Sequence, residues 1–218
     1  MDKKKITAIM PIKLNNERLP GKNTMMLGDK PLLQHELINL KAISLIDKIY
    51  VYCSDEKVVS YLPDGIDFLK RSVELDRSTS NFTQIFESFR KKVDSDIYVY
   101  AHATAPFVSI NSMNACIEAV VSGKYDSAFC ASKIQDFLWQ DGEPMNFDAS
   151  NIPRSQDIKP IYRETSGVYV FTGDVFDKYK RRIGKNPYIH AVGYKEAVDI
   201  NTKEDYELAK ALYQVDIQ

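Results

Sequence analysis

Three cysteines, three histidines and one tryptophan in 218 residues leave little material for several protein classes. Cys53, Cys116 and Cys130 are odd in number, widely spaced and set among apolar residues, so they read as buried free thiols, not a disulfide framework. His35, His102 and His190 lie far apart and pair with no cysteine at a zinc spacing, which argues against a structural metal. No G-x-G-x-x-G follows the first apolar run, and neither G-x-x-x-x-G-K-[ST] nor G-x-S-x-G occurs, so the dinucleotide fold, the P-loop and the nucleophile elbow are set aside. An excess of charge is missing too: 29 Lys and Arg face 30 Asp and Glu, a formal net charge of −1. No overall field therefore favours nucleic acid or an anionic membrane. The apolar run after the basic start at residues 1–5 is one strand long, too short for a membrane span, and no small-residue cleavage site follows it. These absences predict a cytoplasmic protein without nucleic-acid or membrane partners.

What remains is ordinary globular material, 44% hydrophobic and 27% charged, enough to cover both faces of a sheet. Residues 6–12 form an apolar run suited to a doubly buried strand, and Pro31 opens a helical pattern through Leu33, Leu37, Leu40 and Ser44. Strand 48–53 is followed by Ser54-Asp55-Glu56, a cluster suited to capping a second helix. A short strand at 66–69 precedes Phe82, Ile85, Phe86, Phe89 and Val93 on one helical face. Strand 96–103, helix 111–121 and a strand near 125–131 continue the alternation. The rhythm then breaks into a hairpin over 137–147 around Asp141-Gly142, followed by an irregular stretch over 148–160. Segments at 167–171, 175–181 and 188–192 and a helix from Thr202, boxed by Asp205, complete the pattern. The order predicts a three-layer α/β fold with a mostly parallel sheet, whose ligands sit at the carboxyl ends of the strands. It is read as one domain over 1–218, with about 132–162 as an inserted dimerisation arm or lid.

Directly after the first strand come Lys13, Arg18 and Lys22, interleaved with Asn15, Asn16, Asn23 and Pro20-Gly21. Three cations on such a loop can neutralise a triphosphate, while glycine lets backbone N–H groups approach its oxygens. The same residues also suit a solvated basic loop.

The run Ile9-Met10-Pro11-Ile12-Lys13-Leu14-Asn15-Asn16-Glu17-Arg18-Leu19-Pro20-Gly21-Lys22-Asn23 resembles the signature loop of the CMP-sugar synthetases, the cytidylyltransferases of acylneuraminate, other nonulosonic acids and KDO. That loop reads P-A-R-G-G-S-K-R-I-P-G-K-N, or A-S-T-R-L-P-G-K in the KDO branch. Tyr52-Cys53-Ser54-Asp55 is similar to V-S-T-D, Arg71-Ser72-Val73-Glu74-Leu75 to R-P-x-E-L, and His102-Ala103-Thr104-Ala105-Pro106 to Q-P-T-S-P. Pro153-Arg154-Ser155-Gln156-Asp157 is similar to P-R-R-Q-D, Gly167-Val168-Tyr169 to G-A-I-Y, and Val198-Asp199-Ile200-Asn201-Thr202 to I-D-I-D-T.

The resemblance implies the nucleotide-diphospho-sugar transferase fold and attack of a sugar-acid hydroxyl on the α-phosphate of CTP, releasing pyrophosphate. It implies that Lys13, Arg18 and Lys22 are catalytic and clamp phosphates, and that Asn15, Asn23, Arg71, Thr79 and Ser80 handle the nucleotide. His102, Thr104, Gln156, Arg163 and Tyr169 would face the acceptor. Asp199, with Asn201 beside it, would hold Mg²⁺, a hard ion suited to carboxylate and phosphate oxygens. A homodimer is implied as well. Taken singly, Arg71 also suits a surface cation, His102 a strand-end histidine, Tyr169 core packing and Asp199 a polar turn. The chain departs from the family pattern where Lys13 replaces Arg, Glu17 replaces Lys, His102 replaces Gln, Val108 replaces Arg and Asn201 replaces the second Asp. Three readings follow: a nonulosonic-acid cytidylyltransferase, a cytidylyltransferase for another acceptor such as KDO, a phosphorylated polyol or a phosphonate, and a CTP-binding protein without turnover.

Overall fold

In the computed structural model, which describes residues 3–215, the chain runs β1 (Ile6–Ile12), β2 (Met26–Leu27), β3 (Lys30–Pro31), α1 (Leu32–Lys41), β4 (Lys48–Cys53), β5 (Asp67–Lys70), α2 (Phe82–Arg90), β6 (Ile97–Ala101) and α3 (Ile110–Val121). It continues through β7 (Ser127–Ile134), β8 (Trp139–Gln140), β9 (Glu143–Pro144), β10 (Ile161–Thr172), α4 (Gly173–Tyr179), β11 (Pro187–Val192) and α5 (Lys203–Val215). Residues 1–2 and 216–218 of the expected domain lie outside the described residues. Seven strands form one sheet in the order β11-β7-β10-β6-β1-β4-β5, and all pairings are parallel except those of β10 with β6 and β7. The α/β, mostly parallel expectation holds.

Burial explains the arrangement. Of the seven residues of β1 only Pro11 is not fully buried, as a central strand covered by helices on both faces requires. On one face, Ala8, Met10, Val51 and Val99 pack with Leu33, Leu37, Met113 and Ile117 of α1 and α3. On the other, Ile9, Tyr98, Tyr100, Tyr169 and Phe171 pack with Phe86, Phe89 and Phe176 of α2 and α4. The second face is mostly aromatic, with Phe86 ring centroids 4.9 Å from Tyr98, 4.9 Å from Phe171 and 4.6 Å from Phe176 in edge-on contacts.

Some expected elements differ. The segment after Asp55 is a 3₁₀ turn, Glu56–Tyr61, not an α-helix. Asp55 does cap it, accepting from the Lys57 N–H at 2.9 Å, but Val58 and Val59 are weak helix formers and Pro63 with Gly65 ends the segment early. Helix α1 stops at Lys41, short of Ser44. Strand β10 begins six residues before the expected Gly167, because its polar first half pairs Ile161–Glu164 with β7. The hairpin turns on Asp141 (φ 52°) and Gly142 (φ 85°), the left-handed pair a two-residue loop requires. Thr202 and Asp205 form the expected reciprocal cap, with bonds of 3.3 and 2.8 Å. The three cysteines are free and buried, Cys116 Sγ and Cys130 Sγ lying 3.9 Å apart.

One core residue is out of character. Glu36 on α1 is fully buried and neither carboxylate oxygen has a hydrogen-bond partner, so burial, helped by Glu196, holds its pKa well above the usual carboxylate range. In the unfolded chain this carboxyl ionises above about pH 4.3. The folded state keeps its proton, so its cost to stability grows as pH rises from there toward the folded pKa. Glu36→Leu is expected to stabilise the protein by about 2 kcal/mol at pH 8 and by much less at pH 5. Denaturant melts at the two pH values check this, and an equal change at both would contradict it.

Candidate active site

The parallel strands end along one edge of the sheet, and β10, running the other way, brings its first residues to the same edge. The loop leaving β1 folds over that edge. Gly21 sits at φ 68°, a left-handed conformation cheap only for glycine, and its carbonyl accepts from the Thr24 N–H and hydroxyl, each at 2.9 Å. The turn drives Lys22 inward until its ammonium donates to the Ile200 carbonyl at 2.7 Å, with the residue only 8% exposed. Burial lowers the Lys22 pKa and the neighbouring Asp199 carboxylate opposes that. Asn23 donates to the Lys13 carbonyl at 2.9 Å and ties the loop's two ends together. Lys13, Arg18 and Lys22 line one cleft of about 310 Å³, with Asn16, Glu17, Leu19 and Ser78 completing its wall. The three expected cations are thus convergent, and Glu17 lies among them.

The segment 199–201 is bonded to Arg18 and Lys22 of this cleft and is anchored where the Ile200 N–H donates to the Thr104 carbonyl at 2.8 Å, beyond the end of β6. Asn201 faces both ways: its amide NH₂ donates to Asp199 Oδ2 at 2.7 Å, while its oxygen accepts from Arg18 Nη2 at 2.9 Å. A neutral amide therefore links the carboxylate to the loop cation directly. Asp199 Oδ1 is buried with no partner. That oxygen fits a hard divalent cation, which can be held by one carboxylate together with phosphate oxygens and water. Asn201 fits less well as a ligand, its oxygen being taken by Arg18.

Of the residues expected to handle the nucleotide, Arg71 is buried and donates to Asp76 Oδ1 at 2.7 Å. Asp76 Oδ2 accepts from Ser54 at 2.5 Å, and its carbonyl accepts from Lys13 Nζ at 3.3 Å. Arg71 Nε has no partner. Asn15 lines a second cleft of about 630 Å³ with Ser54, Asp55 and Asp76. Thr79 is exposed, and Ser80 is fixed by its N–H to the Arg77 carbonyl at 3.0 Å.

A third cleft, of about 600 Å³, is lined by Arg163, Glu164, Asp199 and Asn201, with Leu208 and Leu212 of α5 as an apolar wall. Arg163 Nε donates to Ser132 at 3.2 Å. Register slips between Glu164 and Tyr169, and Ser166 at φ 59° occupies the bulge. The bulge aims the Ser166 carbonyl at His102 Nδ1, which must carry the proton, leaving Nε2 as an acceptor. Burial first, then the Arg182 charge, lower the His102 pKa to about 4, so the ring is neutral across the physiological range. Tyr169 stands beside it, ring centroids 6.1 Å apart. Gln156 remains exposed on the turn Ser155–Asp157, its carbonyl accepting from Gln135, and lines neither this cleft nor that of the loop cations. Sequence reasoning passed over Ser78, Asp76, Glu164, Ser166 and Arg182. Only Asp76 carried a signal, as an acid five residues after Arg71.

Comparisons with known proteins agree with this geometry. The profile of the cytidylyltransferase family matches residues 7–217. A pseudaminic acid cytidylyltransferase of Campylobacter jejuni subsp. jejuni (serotype O:23/36) is 23% identical over 221 residues, covering 95% of each chain. Among solved structures, a CMP:2-keto-3-deoxy-manno-octonic acid synthetase complexed with CTP superposes with a TM-score of 0.73 at 15% identity, covering 97% of this chain and 99% of that one. A 4-diphosphocytidyl-2C-methyl-D-erythritol synthase of Anaerococcus prevotii superposes at 0.68 with 16% identity, covering 98% and 97%. These structural likenesses establish the fold. With the family profile spanning nearly the whole sequence and the signature loop's three cations converging on one cleft, the chain belongs to the cytidylyltransferases of the CMP-sugar synthetase type, and is a CTP-dependent nucleotidyltransferase.

Proposed function

We propose that this enzyme transfers CMP from CTP to a nonulosonic acid such as an acylneuraminate or pseudaminic acid, forming a CMP-sugar and pyrophosphate for surface glycan synthesis. The observation that carries this reading is the linked set Lys22–Ile200 carbonyl, Asp199–Asn201–Arg18, whose hydrogen bonds join the cation cleft to the cleft of Arg163 and Asp199, which on this reading is the acceptor cleft. The acceptor's hydroxyl attacks the α-phosphorus and the bond to the β-phosphate oxygen breaks. Lys13, Arg18 and Lys22 offset charge on the departing pyrophosphate, and the two clefts hold the reactants in line. Asp199 would hold Mg²⁺, which when bound shares in neutralising the phosphates. Asn15, Asn23, Arg71, Thr79 and Ser80 form the nucleotide side. His102, Thr104, Arg163 and Tyr169 form the acceptor side, with a neutral His102 accepting a hydrogen bond through Nε2. Residues 1–218 act as one domain, and the 132–162 arm, where the exposed Trp139 packs on Phe147 at 5.4 Å, is the dimer contact that brings Gln156 to a partner's site.

A second reading, another acceptor such as KDO or a phosphorylated polyol, is favoured by Val108, which is fully buried under Gly167 and presents no cation there. A pyrophosphate-release assay crossing four nucleoside triphosphates with pseudaminic acid, N-acetylneuraminic acid, KDO and polyol phosphates tests both. Release is expected only with CTP, Mg²⁺ and a nonulosonic acid. Release with KDO or a polyol phosphate alone selects the second reading, and no release with any acceptor sinks both.

A further inference from the structure

Next to His102 the structure holds a carboxylate in a ready-made seat. The guanidinium of Arg182 lies flat over the Tyr169 ring, 3.6 Å from its centroid, and its Nη2 donates to the Tyr169 hydroxyl at 2.9 Å. That hydroxyl donates to Glu164 Oε2 at 2.7 Å, and the same oxygen lies 3.6 Å from Arg182 Nη2. A phenol and a guanidinium thus receive one carboxylate oxygen together. Tyr169 is buried, but Arg182 and Glu164 reach the surface, with side-chain exposures of 26% and 43%, and Glu164 also lines the acceptor cleft that holds Asp199. Through Tyr169 the seat adjoins His102, whose ring feels the charges of Arg182, Asp199 and Lys22.

In a 2-keto sugar acid the attacking hydroxyl and the carboxylate share one carbon. The acceptor's charge must therefore rest close to the α-phosphorus, where an unneutralised anion would oppose the approach of the phosphates. We propose that Arg182, held by Tyr169, is the seat of the acceptor's carboxylate, and that Glu164 is an internal stand-in which the acceptor displaces. The exchange replaces one carboxylate with another at the guanidinium, while the Glu164 side chain turns into the cleft it already lines. Glu164 is the last paired residue before the register break in β10, and its exposed side chain can leave the seat by rotation about its own bonds. This inference rests on the sugar-acid reading above and adds the residue that recognises the acid.

The test is calorimetric titration of the full chain, saturated with a non-hydrolysable CTP analogue, with pseudaminic acid, N-acetylneuraminic acid and KDO and with their neutral methyl esters. Wild type is expected to prefer the bound acid over its ester at least tenfold. Arg182→Gln is expected to bring that ratio to about one while the CTP analogue binds within twofold of wild type. Glu164→Gln is expected to tighten the acid about threefold and leave the ester unchanged. An undiminished acid-to-ester ratio in Arg182→Gln, or a weaker acid in Glu164→Gln, overturns the proposal while leaving the sugar-acid reading intact. If wild type binds the CTP analogue and none of the acids, both fall. Should Arg182→Gln fail to fold by thermal melt, the Glu164→Gln titration decides alone.

Discussion

Lys22→Ala is expected to lower kcat/KM for CTP by about 10³-fold, the upper range for removing one preorganised charge donor. The size of the loss follows from its position. Lys22 is the loop cation held in the interior, its ammonium on the Ile200 carbonyl and close to the Asp199 carboxylate. Truncation removes positive charge from the cleft of Lys13 and Arg18, leaves Asp199 without its neighbouring cation, and strips a donor from the Ile200 carbonyl. Lys13 and Arg18 remain, but both are more exposed, where water screens them. Pyrophosphate release across CTP concentrations, with a thermal melt on the same sample, reads the effect. Activity within tenfold of wild type in a normally folded variant would show that Lys22 only braces the loop. Because burial lowers its pKa, the wild-type rate should also begin to fall at a more acidic pH than an ordinary lysine would dictate.

The second large effect is on stability. Asp76→Ala is expected to cost about 3–5 kcal/mol, the penalty for leaving a buried charge without its partner. Arg71 has a side chain only 3% exposed, its Nε is already unpartnered, and Asp76 is its ion-pair partner at 2.7 Å. The same carboxylate receives Ser54, so the end of β4 loosens too. Pairing the change with Arg71→Met should recover most of the loss, because two apolar side chains then replace a buried ion pair. Urea unfolding of the single and double variants measures both quantities. A loss below about 1 kcal/mol for Asp76→Ala would mean that water reaches Arg71 once the carboxylate is gone.

Much of this molecule is legible in its residues, and the parts that are not fail for physical reasons. Doubly buried runs such as residues 6–12 declare a central strand by apolar continuity, and Phe82, Phe86 and Phe89 declare a helix by spacing. The first half of β10 does neither. Tyr162, Arg163 and Glu164 are exposed and polar, and they are extended because β7 offers them a pairing edge, which no local pattern records. The loop cations were visible through their place after the first strand. Arg182 was not, because Lys180-Arg181-Arg182 reads as surface charge until the fold stacks its last member on Tyr169. Asn201 was visible as a departure from the family pattern, but its bridging of Asp199 and Arg18 depends on geometry between segments 183 residues apart.

That separation bears on how the protein folds. The Lys22–Ile200 and Arg18–Asn201 bonds close loops of 178 and 183 residues, and Tyr206 and Tyr213 of α5 reach back to the Met26 carbonyl and Asp29 across 180 and 184. Contacts so distant in sequence repay their closure entropy only after nearer pairings have drawn the chain together. The β1–β4–β5 layer and its helices form without them. The bonds that join the loop cations to segment 199–201 are therefore expected to close after the sheet's nearer pairings, so that the site is completed late.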